Sequence, residues 1–402
     1  MRSLKFKLSL CFLLLLFSSG NLISQTSISG SKDTPAVKPA NVSILLPFYL
    51  DSLFKPTGYA HGSAIPRFAM PALEFYNGVQ LAIDSLAQEG IKARIEIVDT
   101  RKNTAMTLVF NPYSLHKPAL LIGVMQSGAE LKQVSGMALQ HNVPFISATY
   151  PNDGGVTSNP NLLIANSTLK THCEALYSYV QRKHSNENIV LFYRQSAPGD
   201  RVKMYLKEAE NNTTGKRLNW KIVGLTDSFN VAQVSKYLDS VQSNVVIGAS
   251  LDDDFSYKLI KTLSSLKGQY QSAIFGMPTW DEYNLTRPEF RGVDVYFSTP
   301  FVSYSSNAAI FNSITQKFKK TQNSKPSDMV FKGFEITYRY VKILSQHPND
   351  FMAFVNDPSN KVFVDFKFEP VSVKPASQAP DYWENKKIYF VKKTDGIVKA
   401  VY

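Results

Sequence analysis

Residues 120–150, LLIGVMQSGAELKQVSGMALQHNVPFISATY, decide the fold of this chain. Leu120–Val124 is an apolar run, and Gln126-Ser127-Gly128 follows it as a turn. Leu131, Val134, Met137 and Ala138 then recur at helical spacing, and Val143–Ile146 is a second buried strand. Small polar residues stand at both strand ends: Ser127 after the first, Ser147-Ala148-Thr149 after the second. In open α/β sheets ligands lie beyond the carboxyl ends of the strands, where helix N-termini present unpaired N–H groups. Ser127 and the Ser147/Thr149 pair are therefore placed to hold a small polar or anionic group. Two local roles compete with that one. Ser127 is well placed to cap the following helix, and Ser147 and Thr149 to brace the loop before the turn Pro151–Gly155.

The same alternation extends in both directions. A strand at Val42–Pro47 and a helix at Ala72–Gln88 precede a strand at Ala93–Val98. Further strands are expected at 162–165, 189–193, 220–225, 244–248, 272–276 and 293–298, with helices near 168–183, 200–211, 231–241, 254–266, 308–320 and 331–345. Strands alternating with helices of such length imply mainly parallel sheets covered on both faces. The units are too many for one sheet, so the expected fold class is α/β with two doubly wound parallel-sheet lobes. The break falls near Asn166-Ser167. In the tail, 362–368 and 387–391 alternate like antiparallel strands, and Thr394-Asp395-Gly396 turns into a closing hairpin.

Arg2, Lys5 and Lys7 precede the apolar run Leu8–Phe17 and the small residues Ser18-Ser19-Gly20, the pattern of a secretory signal peptide. We expect a signal over 1–24 and a polar, Pro-containing linker over 25–40. Removal of the signal leaves Cys173 as the one cysteine, so no intramolecular disulfide forms. A large exported chain without disulfides suits a bacterial periplasm. The net charge of +12 is scattered rather than clustered, which argues against a nucleic-acid partner. Enzyme motifs are missing: no GxSxG, HExxH, GKS/T loop or GxGxxG after a strand. The histidines are dispersed without metal-ligand spacing, and neither catalysis nor a cofactor is expected.

Several segments together resemble a known family. They are VSILLPF at the start, ALEFYNGVQLAIDSL, the 120–150 stretch, IVLFYRQSAPGDRVKMYLKEA, VVIGASLDDDFSYKLIKTL, IFGMPTWDEY, FKGFEITYRYVKIL and the closing KIYFVKKTDGIVKAVY. The chain resembles a type I periplasmic binding protein of the leucine/isoleucine/valine-binding group. LLPFYLDS, ALEFYNG and GMPTWDEY resemble a Bacteroidetes-type subgroup, some of whose members carry a LysM module, although no LysM pattern precedes the fold here. The resemblance implies a hinge of three crossings, near 165–167, near 298–301 and before the final hairpin. Lobe 1 would comprise 41–165 plus 300–370, and lobe 2 would comprise 166–299 plus 371–402. It also implies a ligand held between the lobes and trapped by hinge closure.

By matching position, Ser127 with the Gly128 and Ala129 backbone, and Ser147 with Thr149, would hold a ligand carboxylate, and Tyr150 would line the cleft. In the second lobe Tyr193, Arg194 and Gln195 would end a strand facing the cleft, and Asp252 would meet an ammonium. The residues allow other roles: Asp252 at the head of a helix suits N-capping, and Arg194 suits a surface carboxylate. Two departures stand out. The loop 48–70 is long and aromatic, and Pro198-Gly199-Asp200 replaces the family's Tyr-Gly pair. The resulting expectation is an exported solute-binding protein for an amino acid or similar small zwitterion, with an inner-membrane permease as partner in ABC-type uptake or sensing. The competing expectation is a cell-envelope interaction module that binds peptidoglycan or a cell-wall synthesis partner with an altered cleft.

Overall fold

The structure, a computed structural model, describes residues 39–62, 64–102, 105–303, 308–372 and 379–401. The expected signal peptide and the linker up to Lys38 lie outside the described residues. In chain order the strands are β1 (Ala40–Leu46), a short hairpin of β2 (Phe54–Lys55) and β3 (Gly58–Tyr59), β4 (Ala93–Asp99), β5 (Leu120–Gly123), β6 (Phe145–Ser147) and β7 (Leu162–Ile164). Then come β8 (Asn188–Arg194), β9 (Trp220–Leu225), β10 (Asn244–Ala249), β11 (Ser272–Phe275) and β12 (Val295–Thr299). The tail supplies β13 (Phe368–Val371), β14 (Tyr382–Asn385), β15 (Tyr389–Thr394) and β16 (Ile397–Val401).

Two large sheets result, in the orders β13-β14-β7-β6-β5-β1-β4 and β16-β15-β12-β11-β10-β8-β9. Strands β14-β7-β6-β5-β1-β4 of the first and β12-β11-β10-β8-β9 of the second pair in parallel, and antiparallel pairing in these sheets is confined to β13/β14 and to the β12/β15/β16 edge. Each repeats one order: the second strand outermost, then the first, third, fourth and fifth. The topological switch point, where a doubly wound sheet opens a crevice, therefore lies between β1 and β5 in one lobe and between β8 and β10 in the other.

The first sheet is apolar on both faces because helices cover both. Helix Gly128–Gln140 brings Leu131, Val134 and Ala138 onto one face, against Leu121, Phe145 and Ile164. On the other lie helices Met70–Gln88 and Asp328–Gln346, which carry Phe75, Val79, Phe334 and Tyr340 to Ile122, Ile146 and Leu163. These two helices touch backbone to backbone. A Cβ on Gly78 would stand 2.0 Å from the Val330 carbonyl oxygen, and one on Gly333 would stand 2.2 Å from that of Phe75.

Three sequence expectations need correction. The segment 362–367 is not a half-exposed strand; Val362, Phe363 and Val364 are all buried. Glu335 explains this, because its buried carboxylate accepts from the Val362 and Phe363 amides at 3.3 and 2.5 Å, while Arg339 donates to the Val364 carbonyl at 3.0 Å. Side chains of one helix thus satisfy this backbone where a neighbouring strand otherwise would. Second, Tyr382–Asn385 pairs with β7 and belongs to the first sheet, so the last crossing follows Asn385 and not residue 370. Third, the helix expected at 231–241 stops at Ser235.

Gly78→Val or Gly333→Val should lower unfolding free energy by about 1–3 kcal/mol through overpacking, read as a reduced urea midpoint at unchanged m-value. An unchanged midpoint would mean that the two helices part without cost.

Candidate functional site between the two lobes

Three crossings leave the carboxyl edge of one sheet and join the carboxyl edge of the other. They follow Ile164 of β7, Thr299 of β12 and Asn385 of β14. Buried polar groups bind the first and third together. Ser167 Oγ donates to the Asn385 carbonyl at 2.5 Å, and Asn385 Nδ2 donates to the Ala165 carbonyl at 3.2 Å. The buried Glu384 carboxylate accepts from Thr168 N at 2.8 Å, Thr171 Oγ1 at 2.6 Å and Lys386 Nζ at 2.6 Å. Beside them His172 Nδ1 hydrogen-bonds Ser298 Oγ at 2.8 Å, and burial pushes its imidazole down to about 4.

At the first lobe's switch point, Asp99 accepts from the amides of Phe48, Tyr49, Leu50 and Arg101 at 2.9–3.3 Å and fixes two loops together. Arg101 then reaches Gln126 Oε1 at 2.7 Å and Glu130 at 3.0 Å. Tyr49, held at φ 60°, donates to the same Gln126 oxygen at 2.5 Å. Glu130 also accepts from Gln126 N at 2.9 Å, and Ser127 Oγ accepts from Glu130 N at 3.2 Å. Ser127 is thus the helix cap. The S-x-x-E spacing of Ser127 and Glu130 carried that signal in the sequence. The Gly128 and Ala129 amides at the head of this helix make no hydrogen bond among the described residues. Tyr150 packs beside them, its hydroxyl 3.4 Å from where a Gly128 Cβ would stand. Ser147, one strand away, is fully buried, and its hydroxyl has no partner among the described residues. Thr149 offers its carbonyl to Asn166 Nδ2 at 2.5 Å.

The second lobe's switch point is filled in a similar manner. Arg194 grips Asp227 in a bidentate pair, both contacts 2.7 Å, and reaches Asp252 at 3.2 Å. Asp252 in turn caps helix Asp253–Ser265, accepting from Phe255 N at 2.9 Å. The structure therefore brings Arg194 and Asp252 together, but as partners of each other. Tyr193 lies across Gly224 with the Lys203 ammonium 4.1 Å above its ring. Trp280 is a core residue: it packs onto Gly248 and Gly276, where any Cβ would fall 2.4 and 2.0 Å from its ring, and it anchors the turn Pro278–Glu282.

Sequence reasoning missed Arg101, Glu130 and Gln126, whose meeting depends on strands distant in sequence. It also missed Asp281 and Lys332. Lys332 lies one turn into helix Asp328–Gln346, beside Phe301 on the second crossing, and lines a small cavity with Ala148, Asn166 and Ile336. Asp281 lies on the turn that Trp280 anchors.

Asp252→Ala should reduce stability by about 1 kcal/mol through loss of the cap, and Asp252→Asn, which can still cap, by clearly less, both read by urea denaturation. A second prediction concerns pH. His172 titrates near 4 when folded and near 6.5 when unfolded. Its contribution is complete above about pH 6.5 and is lost as pH falls toward 4, because only the unfolded chain takes up the proton there. Glu335, pushed up to about 7 by burial, acts in the opposite sense as pH rises from the ordinary carboxylate range toward 7, and it is common to both proteins compared. From pH 6 to pH 5 the wild type should lose up to about 1.4 kcal/mol more than His172→Gln; parallel curves would contradict this.

Neither a protein-family model nor a curated sequence matches the chain. Solved structures do. A branched-chain amino acid ABC transporter periplasmic ligand-binding protein from Burkholderia xenovorans superposes with TM-score 0.59 at 12% identity, over 90% of this chain and 94% of that one. An ABC transporter substrate-binding protein from Desulfitobacterium hafniense in complex with Leu gives 0.56 at 11%, over 90% and 100%. A Rhodospirillum rubrum structure, titled as a candidate branched-chain amino acid ABC transporter, gives 0.64 at 11%, over 90% and 100%. At such identity the likeness concerns the fold, and the chain has the fold of the type I periplasmic binding proteins.

Proposed function

We propose that the chain is an exported solute-binding protein that takes an amino acid or similar small zwitterion between its lobes. It would hand the ligand to an inner-membrane permease of ABC type or report its presence to a sensor. One observation carries the reading: hydrogen-bonding groups without protein partners gather at the strand ends of the first lobe. The Gly128 and Ala129 amides head one helix, and the Ser147 hydroxyl is buried one strand away. A buried polar group such as the Ser147 hydroxyl ordinarily finds a partner, the amides at a helix head favour an anion, and a ligand carboxylate would supply both. The relatives in fold are named as amino acid-binding components of ABC transporters, which supports the same reading. No helix among the described residues is long and apolar enough to cross a membrane.

The site departs from the expected assignment in two respects. Asp252 is engaged by Arg194 and by its own helix, so it is not a free acceptor for a ligand ammonium. Ser127 is engaged as a cap and would meet a ligand only as a second role.

One feature favours the alternative of a cell-envelope module. Phe54, Tyr59, Ile65 and Phe68 stand exposed on the long loop after β1, with Tyr59, His61 and Phe68 in successive ring contacts. Such aromatic faces suit sugar rings and apolar partners. Co-sedimentation with purified sacculi, lost in Phe54→Ala/Phe68→Ala, would support it.

The main reading is tested by thermal melts of the mature chain against amino acids, short peptides and soluble muropeptides. A ligand at a hundredfold excess over Kd stabilises the native state by about 2.7 kcal/mol, which raises the melting temperature measurably. For an amino acid that does so, Ser147→Ala should weaken binding by roughly three- to tenfold. The same variant should leave the ligand-free melt unchanged, since its hydroxyl has no partner to lose. A melt shift with muropeptides alone would favour the envelope module, and undiminished binding by Ser147→Ala would remove Ser147 from the site.

A further inference from the structure

We propose that Lys332 of the first lobe and Asp281 of the second, set beside the hinge, are the charged anchors of the ligand: Lys332 for its carboxylate and Asp281 for its ammonium. The inference rests on the solute-binding reading above and assigns its charged contacts.

The two arginines at the strand ends are already engaged. Arg101 is paired with Glu130, and Arg194 with Asp227 and Asp252. Lys332 differs. Among the described residues its ammonium makes no hydrogen bond or ion pair, and it lies over the Phe301 ring, 5.7 Å from the centroid. It is half-buried, on the cavity wall formed by Ala148 and Asn166 of the first lobe's strand ends and Phe301 of the crossing. The low-dielectric surroundings lower its proton affinity, with Asp328 and Asp281 acting against this. A half-buried cation without a partner is costly, and a bound carboxylate would relieve that cost.

Asp281 supplies the opposite sign from the opposite lobe. Its turn is held rigidly by the buried Trp280, whose ring fills the space left by Gly248 and Gly276. Lys393 donates to the Asp281 backbone carbonyl at 2.7 Å, and the Asp281 carboxylate makes no hydrogen bond among the described residues. The residue as a whole is exposed, yet partial desolvation raises its carboxyl, as does the negative charge of Asp328, while Lys393 and then Lys332 act in the other direction. Lys332 stands by Ala148 and Asn166 at the carboxyl ends of β6 and β7, and Asp281 follows the carboxyl end of β11, so the two occupy the carboxyl edges of the two sheets without forming a direct pair. A zwitterion between them would meet the complementary charge on each side and draw the lobes together.

Calorimetric titration of L-leucine, L-glutamate and L-lysine into the wild type, Lys332→Met, Asp281→Asn and Lys332→Arg tests this. We expect at least one of these amino acids to bind. For that ligand, Lys332→Met and Asp281→Asn should each weaken binding by roughly 30-fold or more, and Lys332→Arg should restore most of the loss. The amide of the same amino acid should bind the wild type less well and lose little further in Lys332→Met, which assigns the carboxylate to that lysine. Wild-type affinity in Lys332→Met and Asp281→Asn overturns the anchors and leaves the solute-binding reading standing. Binding of an uncharged solute in place of any of the three overturns the anchors in the same way. Failure of every solute in the thermal panel to bind overturns both. Lys332→Arg separates loss of charge from loss of fold, as does an unchanged urea midpoint in the other two variants.

Discussion

A carboxylate buried where two lobes meet must be matched by donors, and Glu384 draws its donors from the segments that form the hinge. Burial pushes its carboxyl up, but the Lys386 ammonium, Thr171 and the Thr168 amide together hold it below the usual carboxylate range. Leaving such a charge without partners costs several kcal/mol, so the first and third crossings are fixed side by side. Asn385 and Ser167 extend the tie through backbone carbonyls. From this constraint follow the facing of the two carboxyl edges, the cleft between them and the place of every candidate ligand contact. The second crossing leaves Thr299, whose hydroxyl donates to the Phe301 carbonyl, and His172 braces the strand before it through Ser298.

The two lobes share one topology and, at the point where it matters, one arrangement of charge. In each, an arginine at or just past a strand end meets a carboxylate at the head of the helix after the third strand: Arg101 with Glu130, and Arg194 with Asp252. Each carboxylate also serves the head of its helix, Glu130 through Gln126 N and Asp252 through Phe255 N. Helix dipole and arginine thereby stabilise the same negative charge. The crevices at the switch points are lined by pairs that neutralise themselves. A charged ligand must then find its complement elsewhere in the cleft, and Lys332 and Asp281 are the groups of opposite sign so placed.

Much of the fold was legible in the sequence because parallel strands buried on both faces read as short apolar runs, and because the helices between them have clear periodicity. The 120–150 stretch shows this best: β5, helix Gly128–Gln140 and β6 lie where its pattern puts them. The tail was less legible. The burial of 362–367 depends on Glu335 and Arg339, which no local pattern connects to that segment. Tyr382–Asn385 is too short to read as a strand alone and is one because β7 and β13 pair with it. At the site, strand-end positions were readable, but which groups pair across the fold was not. Arg194 with Asp227, and Arg101 with Gln126, are contacts between loops distant in sequence. Lys332 looked like one more cation on a helix, and its place in the cleft comes only from the crossing that brings Phe301 to it.

The central claim is that the lobes close on a small ligand, and the most direct measurement is the distance between them. Lys132 and Lys261 are exposed on the helices that follow β5 and β10, and the native Cys173 is fully buried, so Lys132→Cys/Lys261→Cys can carry a pair of spin labels selectively. The account predicts a shorter and narrower distance distribution on adding the amino acid that raises the melting temperature. A distribution unchanged by that amino acid at saturation would contradict it.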